Sequence, residues 1–299
     1  VPIPDWGALH KAAPVGADRE TLHAYWSDAA AQWLDRLKTH LGEPYGIADS
    51  KHFVLLTALE PRLANLTLEI CERARKRILH TLHGVADQRG YGPHVVLAFA
   101  TQDEYYAYVD HYYSEPGTYS TSSGMFINDG YGHFVFPSEA TWTLEPTIAH
   151  ELTHCLVSHL PLPAWLNEGM AMTMEKHLNP SHDNPRYALY SPREMAEKHR
   201  AFWNAETIQE FWSGKAYLRP DEGSSLSYDL GEKIVRMISR DYALFTAFAN
   251  AATDEDAGAS AASDKLGVDL EECAAAVLGA GPWRPDPSRW NEGTERGQF

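Results

Sequence analysis

Two histidines with a glutamate between them, and a second glutamate downstream, are the residues of this chain best suited to chemistry. They stand in His150-Glu151-Leu152-Thr153-His154 and in Trp165-Leu166-Asn167-Glu168-Gly169-Met170-Ala171. On a helix, positions i and i+4 share one face about 6 Å apart along the axis, so His150 and His154 can converge on one metal ion. Glu151 falls beside them, placed to take a proton from a water on that metal rather than to bind it. Zinc lowers the pKa of such a water to roughly 7, and a carboxylate within hydrogen-bond reach completes its activation. A bare H-E-x-x-H also arises by chance, and two solvated histidines on a helix form the competing reading.

The surroundings favour the metal. Ile148, Ala149, Leu152, Leu156 and Val157 are apolar and helix-compatible, and Pro146 is tolerated only in a first turn, so the helix must start just before the motif. A zinc site of the catalytic type needs a third protein ligand and keeps a fourth place open. Pro161 and Pro163 end the motif helix and force a short turn. A second helix beginning near Ala164 and returning antiparallel would bring Glu168 level with the histidines. The alternative for Glu168 is an ordinary carboxylate favoured by the dipole of a helix start.

These two segments together resemble the gluzincin superfamily of zinc peptidases, and most of all the bacterial group called peptidase MA-like, in which W-L-N-E-G-hydrophobic-A follows the motif helix closely. The likeness runs from about Thr143 to Ala252. It implies a zincin-like α+β fold, one Zn2+ per chain on His150, His154 and Glu168, Glu151 as general base, and a peptide or protein substrate. The segment from Tyr228 to Ile238 is similar to a downstream helix of that group, and the resemblance would give Tyr228 the support of the oxyanion. A core or surface tyrosine is its alternative role. The hairpin Ser123–Phe136 resembles the edge strand of a zincin substrate cleft. Two features depart from related branches: position 172 is Met where thermolysin-like enzymes carry an acid, and no G-A-M-E-N-like strand of the M1 aminopeptidases is present. Two other functions remain in view: hydrolysis of a non-peptide amide or ester, and a zincin-like binding protein with little catalysis. The intact Glu151 argues against the latter, as does the count of three ligands, since structural zinc sites usually close with four.

The elements that must position these residues fall into two halves. Residues 1–17 read as an irregular lead-in. From 18 to 160 the pattern is mixed: a helix capped by Asp18 and running to about His40, strands at His52–Leu59 and His94–Ala100, and a helix opened by Glu60-Pro61 with Leu63, Leu66, Ile70, Ile78 and Leu82 on one stripe. A helix at Gln102–Tyr113, the hairpin and the motif helix at Leu144–His159 complete this half. From 161 to 279 helices dominate: Ala164–Leu178, Pro192–Trp203, Thr207–Trp212, Ser225–Ser239, Tyr242–Ala252, Asp254–Gly267 and Asp269–Leu278. Residues 280–299 read as a surface wrap or a partly disordered tail.

The bulk numbers narrow the function classes. The chain has 299 residues, 44% hydrophobic and 22% charged, with a net charge of −16. Such a charge repels phosphate backbones and argues against a nucleic-acid partner, although excess carboxylates also serve simply to keep a protein soluble. No stretch approaches the ~20 apolar residues of a membrane span. No signal-peptide pattern opens the chain. The absent initiator Met fits trimming or removal of an export signal, and a soluble cytoplasmic location is favoured over an exported mature chain. Cys71, Cys155 and Cys273 are too few and too widely spaced for a disulfide framework, and Cys155 reads as a buried thiol rather than a ligand. His133 and the pair His182-Asp183 could hold a second metal but read better as strand and loop polar groups. Oligomeric state is not encoded in any of these patterns.

Overall fold

A computed structural model describes residues 1–112, 124–138, 144–180 and 190–290. It is an α+β protein whose chain divides into two compact units, Val1–Thr81 with Gln88–Leu156, and Leu82–Asp87 with Val157–Phe299.

The first unit is built on a five-stranded mixed sheet of order β1-β2-β3-β5-β4. The strands are β1 (Gly46–Asp49), β2 (Phe53–Thr57), β3 (His94–Phe99), β4 (Met125–Ile127) and β5 (His133–Pro137). β2, β3 and β5 are parallel, whereas β1 and β4 add antiparallel edges. Alternation along β3 sorts the two faces. Val95, Leu97 and Phe99 join a core with Trp33 and Leu37 of α2 (Arg19–Leu41) and Tyr105 and Tyr108 of α4 (Gln102–Val109). Val96 faces the other way, toward Cys71 of α3 (Pro61–Thr81) and Ile148 and Leu152 of α5 (Leu144–Val157). The sheet is thus covered on both faces, as parallel strands require.

Local chemistry sets the helix starts. Asp18 caps α2 by accepting from Thr21 N, and Thr101 and Glu104 form a reciprocal capping box on α4. Three expectations need correction in this unit. The lead-in contains a helix, α1 (Trp6–Ala12), capped by Asp5 and anchored by buried Trp6 against Trp33. β1 went unread because its four residues carry half-exposed and exposed side chains. Of the stripe expected on α3, Ile70, Ile78 and Leu82 are buried but Leu63 and Leu66 are 40% and 46% exposed; the buried face of the helix is Ala64, Thr67, Leu68, Ile70, Cys71, Ala74 and Ile78.

The second unit is helical: α6 (Ala164–Leu178), α7 (Pro192–Phe202), α8 (Thr207–Trp212), a 3-10 turn at Lys215–Leu218, α9 (Glu222–Ile238), α10 (Tyr242–Ala249), α11 (Ala259–Ala261) and α12 (Leu270–Leu278). The helix expected over Asp254–Gly267 is broken, because Ala257 and Gly258 adopt φ of 57° and 76° and divide it into short turns. The described part of the tail is strapped down. Trp212 donates to Trp283 O, and the Gln209 carboxamide donates to Arg284 O while accepting from Asp286 N and Trp290 Nε1. Of the aromatic residues Phe202, Trp203, Phe211 and Trp212, the last three are buried in the core and Phe202 is half-buried.

α6 and α9 approach each other closely at Gly169 and Gly231. A Cβ on Gly169 of α6 would lie 2.6 Å from the Gly231 carbonyl of α9, so only glycine fits. Lys176, two turns after Gly169 on α6, and Arg236 of α9 itself both reach the buried Glu232 of α9, at 3.3 and 3.1 Å.

Candidate metal centre

The motif histidines sit on α5, which lies on the sheet through Ile148 and Leu152. Thr153 satisfies its hydroxyl within the helix by donating to Ala149 O at 2.7 Å. The His150 and His154 rings stand one above the other, 4.8 Å between centroids and inclined by 73°. His154 is buried and His150 half-buried. Glu151 lines a small apolar pocket with Phe53, Cys71, Val96, Phe134, Phe136, Ile148 and Leu152, so its stem is held among carbon atoms. Cys155 is not in a disulfide; its Sγ lies 3.6 Å from Nδ1 of His94 on β3, and burial pushes the thiol up to about 12. At that value it stays protonated at neutral pH, which suits a packing role rather than ligation.

Glu168 sits in the second turn of α6, after Pro163 has started the helix without a side-chain cap. Every residue from Trp165 to Ala171 is buried, and Glu168 itself is only 4% exposed. Trp165 fixes the start of this run by donating its indole N–H to Ala257 O at 2.9 Å. A carboxylate so enclosed is costly unless paired or bound to a cation. Among the described residues, the group of His, Cys, Asp or Glu side chains able to share a metal is His150, His154 and Glu168. One ligand atom from each lies within 4.8 Å of the others.

The donor set suits zinc: two imidazoles and one carboxylate leave a fourth tetrahedral place. Bonds of about 2.0–2.2 Å separate tetrahedral ligand atoms by roughly 3.3–3.6 Å.

Tyr228 lies in the second turn of α9, rather than at the helix start, because Asp221 caps the helix earlier by accepting from Gly223 N. Its half-buried ring meets that of Tyr217 edge-on, at 5.0 Å and 87°. Behind it, Asp229 joins a buried chain of polar groups. Trp203 donates its indole N–H to His199 Nδ1 at 2.8 Å, so the proton of His199 is on Nε2, which donates to Asp229 at 2.6 Å. Burial would raise the Asp229 carboxyl, but the hydrogen bonds from His199 and Lys233 outweigh it and hold it below its usual range.

His133 is a core residue. Its Nδ1–H donates to Tyr131 O and its Nε2 accepts from Tyr108, both at 2.7 Å. His182 and Asp183 lie outside the described residues. Sequence reasoning missed Tyr217, Gly169 and Gly231. The available signal was a glycine inside each of two strongly helical patterns, which marks close backbone approach. No protein-family model matches this chain, and no curated protein matches it.

Proposed function

We propose that this chain is a zinc-dependent metallopeptidase of the gluzincin type. The observation that supports this reading above all is the proximity of His150, His154 and Glu168, with Glu151 adjacent to the first histidine in the same helix. When bound, the zinc would supply Lewis acidity for a water and for the substrate carbonyl. His150 and His154 would hold it as neutral donors, and Glu168 would add the charged ligand.

Glu151 takes the proton of the attacking water at its carboxylate and hands it to the nitrogen of the leaving amine. Its apolar surroundings limit competing hydrogen bonds to solvent. Tyr228 donates its hydroxyl to the developing oxyanion, a type of interaction worth ~2.7–4 kcal/mol per donor. β4 is an edge strand of the sheet, paired with β5, and an extended peptide could lie along its outer side by strand addition.

The test is to incubate metal-loaded protein with a diverse peptide mixture and read new termini by mass spectrometry. Glu151→Gln, which keeps the shape and removes the base, should lose about 10²–10⁴-fold in turnover while still binding one zinc. Equal cleavage by wild type and Glu151→Gln would overturn the assignment of the base. Cleavage by neither, with zinc bound, would redirect the reading toward another amide or ester.

A further inference from the structure

Tyr228 is half-buried, and a phenol that supports an oxyanion must be aimed, since a misplacement of about 1 Å can cost ~10²-fold in rate. Tyr217 is the group built against it. It stands on the 3-10 turn Lys215–Leu218, entered through Gly214 at φ 86°, a left-handed conformation that suits glycine. Its ring is buried, backed by Phe211 at 6.1 Å, and its face or edge meets Tyr228 at 87°. Its hydroxyl donates to the carbonyl of Ser227, the residue directly before Tyr228, at 3.2 Å.

The same hydroxyl occupies the space that a side chain at position 231 would fill. A Cβ on Gly231 would lie 2.7 Å from it and 3.0 Å from Trp165 O. Tyr217 is therefore wedged beside both α9 and α6, at the level of the contact between Gly169 and Gly231. Burial first, then the charge of Glu168, raises the Tyr217 phenol well above its ordinary range, so it remains a proton donor.

We propose that Tyr217 is a positioning residue that holds the ring of Tyr228, and the turn of α9 carrying it, in its working orientation. The proposal rests on the oxyanion role given to Tyr228 above. Ring contact, rather than the hydroxyl alone, does most of the holding, because the edge-on packing fixes the Tyr228 ring plane while the hydrogen bond fixes only the backbone.

Two readouts test it. The first needs neither metal nor activity: 3-fluorotyrosine is placed at position 228 of the full-length, metal-free protein and followed by 19F NMR. Tyr217→Leu should shift and sharpen the resonance as the ring gains freedom, and Tyr217→Phe should stay near wild type. Should Tyr217→Leu fail to fold, Tyr217→Met fills the space with an unbranched chain and serves instead. An unchanged resonance in the folded Leu or Met variant overturns the proposal.

The second readout is kinetic. Tyr217→Leu should lower kcat about 10-fold with little change in KM, and Tyr217→Phe should restore most of it. In a Tyr228→Phe background, Tyr217→Leu should cost nothing further, because its effect passes through the hydroxyl already removed. An equal loss in both backgrounds means that Tyr217 supports the fold in general and overturns the proposal. A wild-type protein without hydrolytic activity but with the NMR response would sink the peptidase reading and leave the holding of Tyr228 established.

Discussion

In the sheet-bearing unit, α5 rests on large side chains: Ile148 and Leu152 lie over Val96, Phe134 and Phe136. In the helical unit, α6 and α9 meet with no side chain between Gly169 and the Gly231 carbonyl. The first arrangement sets the two histidines at a distance from the sheet and leaves a small apolar pocket beside Glu151. The second brings two backbones together and buries Glu168 next to the contact. Side-chain interfaces weaken by degrees when atoms are removed, because neighbours relax into part of the space. A backbone interface tolerates no added atom, because the carbonyl it meets has no other rotamer. The two histidines of α5 and Glu168 of α6 are therefore held with different tolerance to mutation.

The largest expected effect concerns what the tight contact serves. If it exists to present Glu168 as a ligand, Glu168→Ala should lower zinc affinity by more than the ~10–100-fold typical of a residue one step removed from the metal. Glu168→Asp should be intermediate, since its shorter arm keeps the charge and misplaces the oxygen. Glu168→Gln should resemble Ala, because a neutral amide is a poor zinc ligand. A zinc titration of the three variants decides the matter. Wild-type affinity in Glu168→Ala would return this residue to the role of a helix-start carboxylate, worth ~0.3–1 kcal/mol of stability and no metal.

Next in size is the contrast in packing itself. Leu152→Ala should cost about 2–5 kcal/mol, and Leu152→Met less than about 1.5 kcal/mol, as at any side-chain interface with room to adapt. Gly169→Ala should cost a net ~1–3 kcal/mol despite the ~1 kcal/mol gain in helix propensity, and Gly169→Ser should be no better. Chemical denaturation measures all four. A stabilised Gly169→Ala protein would mean that α6 and α9 can part without cost, and the comparison would collapse.

The motif was legible in sequence because its requirements are local: i and i+4 spacing, an early Pro146, and a proline-bounded turn before Glu168. Helix limits followed where capping chemistry was explicit, as at Asp18 and Pro61. Reading failed where tertiary contact overrides the local pattern. Leu63 and Leu66 shared a helical stripe with Ile70, Ile78 and Leu82, yet they alone of the five are exposed, and Ala64 and Leu68 take the buried places in the first turns of α3. Trp6 belonged to a Pro- and Gly-rich stretch, and only its docking on Trp33 makes the local helix worthwhile. Tyr217 was one of 15 tyrosines, and nothing within its own turn marks the partner it meets on α9.

The smallest expected effect separates the two units by pH. His133 lies in the sheet-bearing core with both ring nitrogens engaged, and burial lowers it from 6.5 to about 4. His94, on the neighbouring strand, is lowered to about 4 by burial first and by the positive charge of Arg75 next. Between about pH 4 and 6.5 the unfolded chain therefore binds protons at these positions that the folded chain does not. Stability must then rise with pH across this window and fall as acid is added. For His133 alone, the loss between pH 6.5 and pH 5 should be on the order of 1–2 kcal/mol, since the slope reaches 1.36 kcal/mol per pH unit only once the unfolded histidine is fully protonated. His133→Phe removes the titrating group at the expense of the hydrogen bond from Tyr108, so its absolute stability should fall while its dependence on pH flattens. Urea denaturation of both proteins at intervals from pH 7 to pH 5 measures the two slopes. Equal slopes would show that protonated His133 is accommodated in the core and that the acid sensitivity of this unit arises elsewhere.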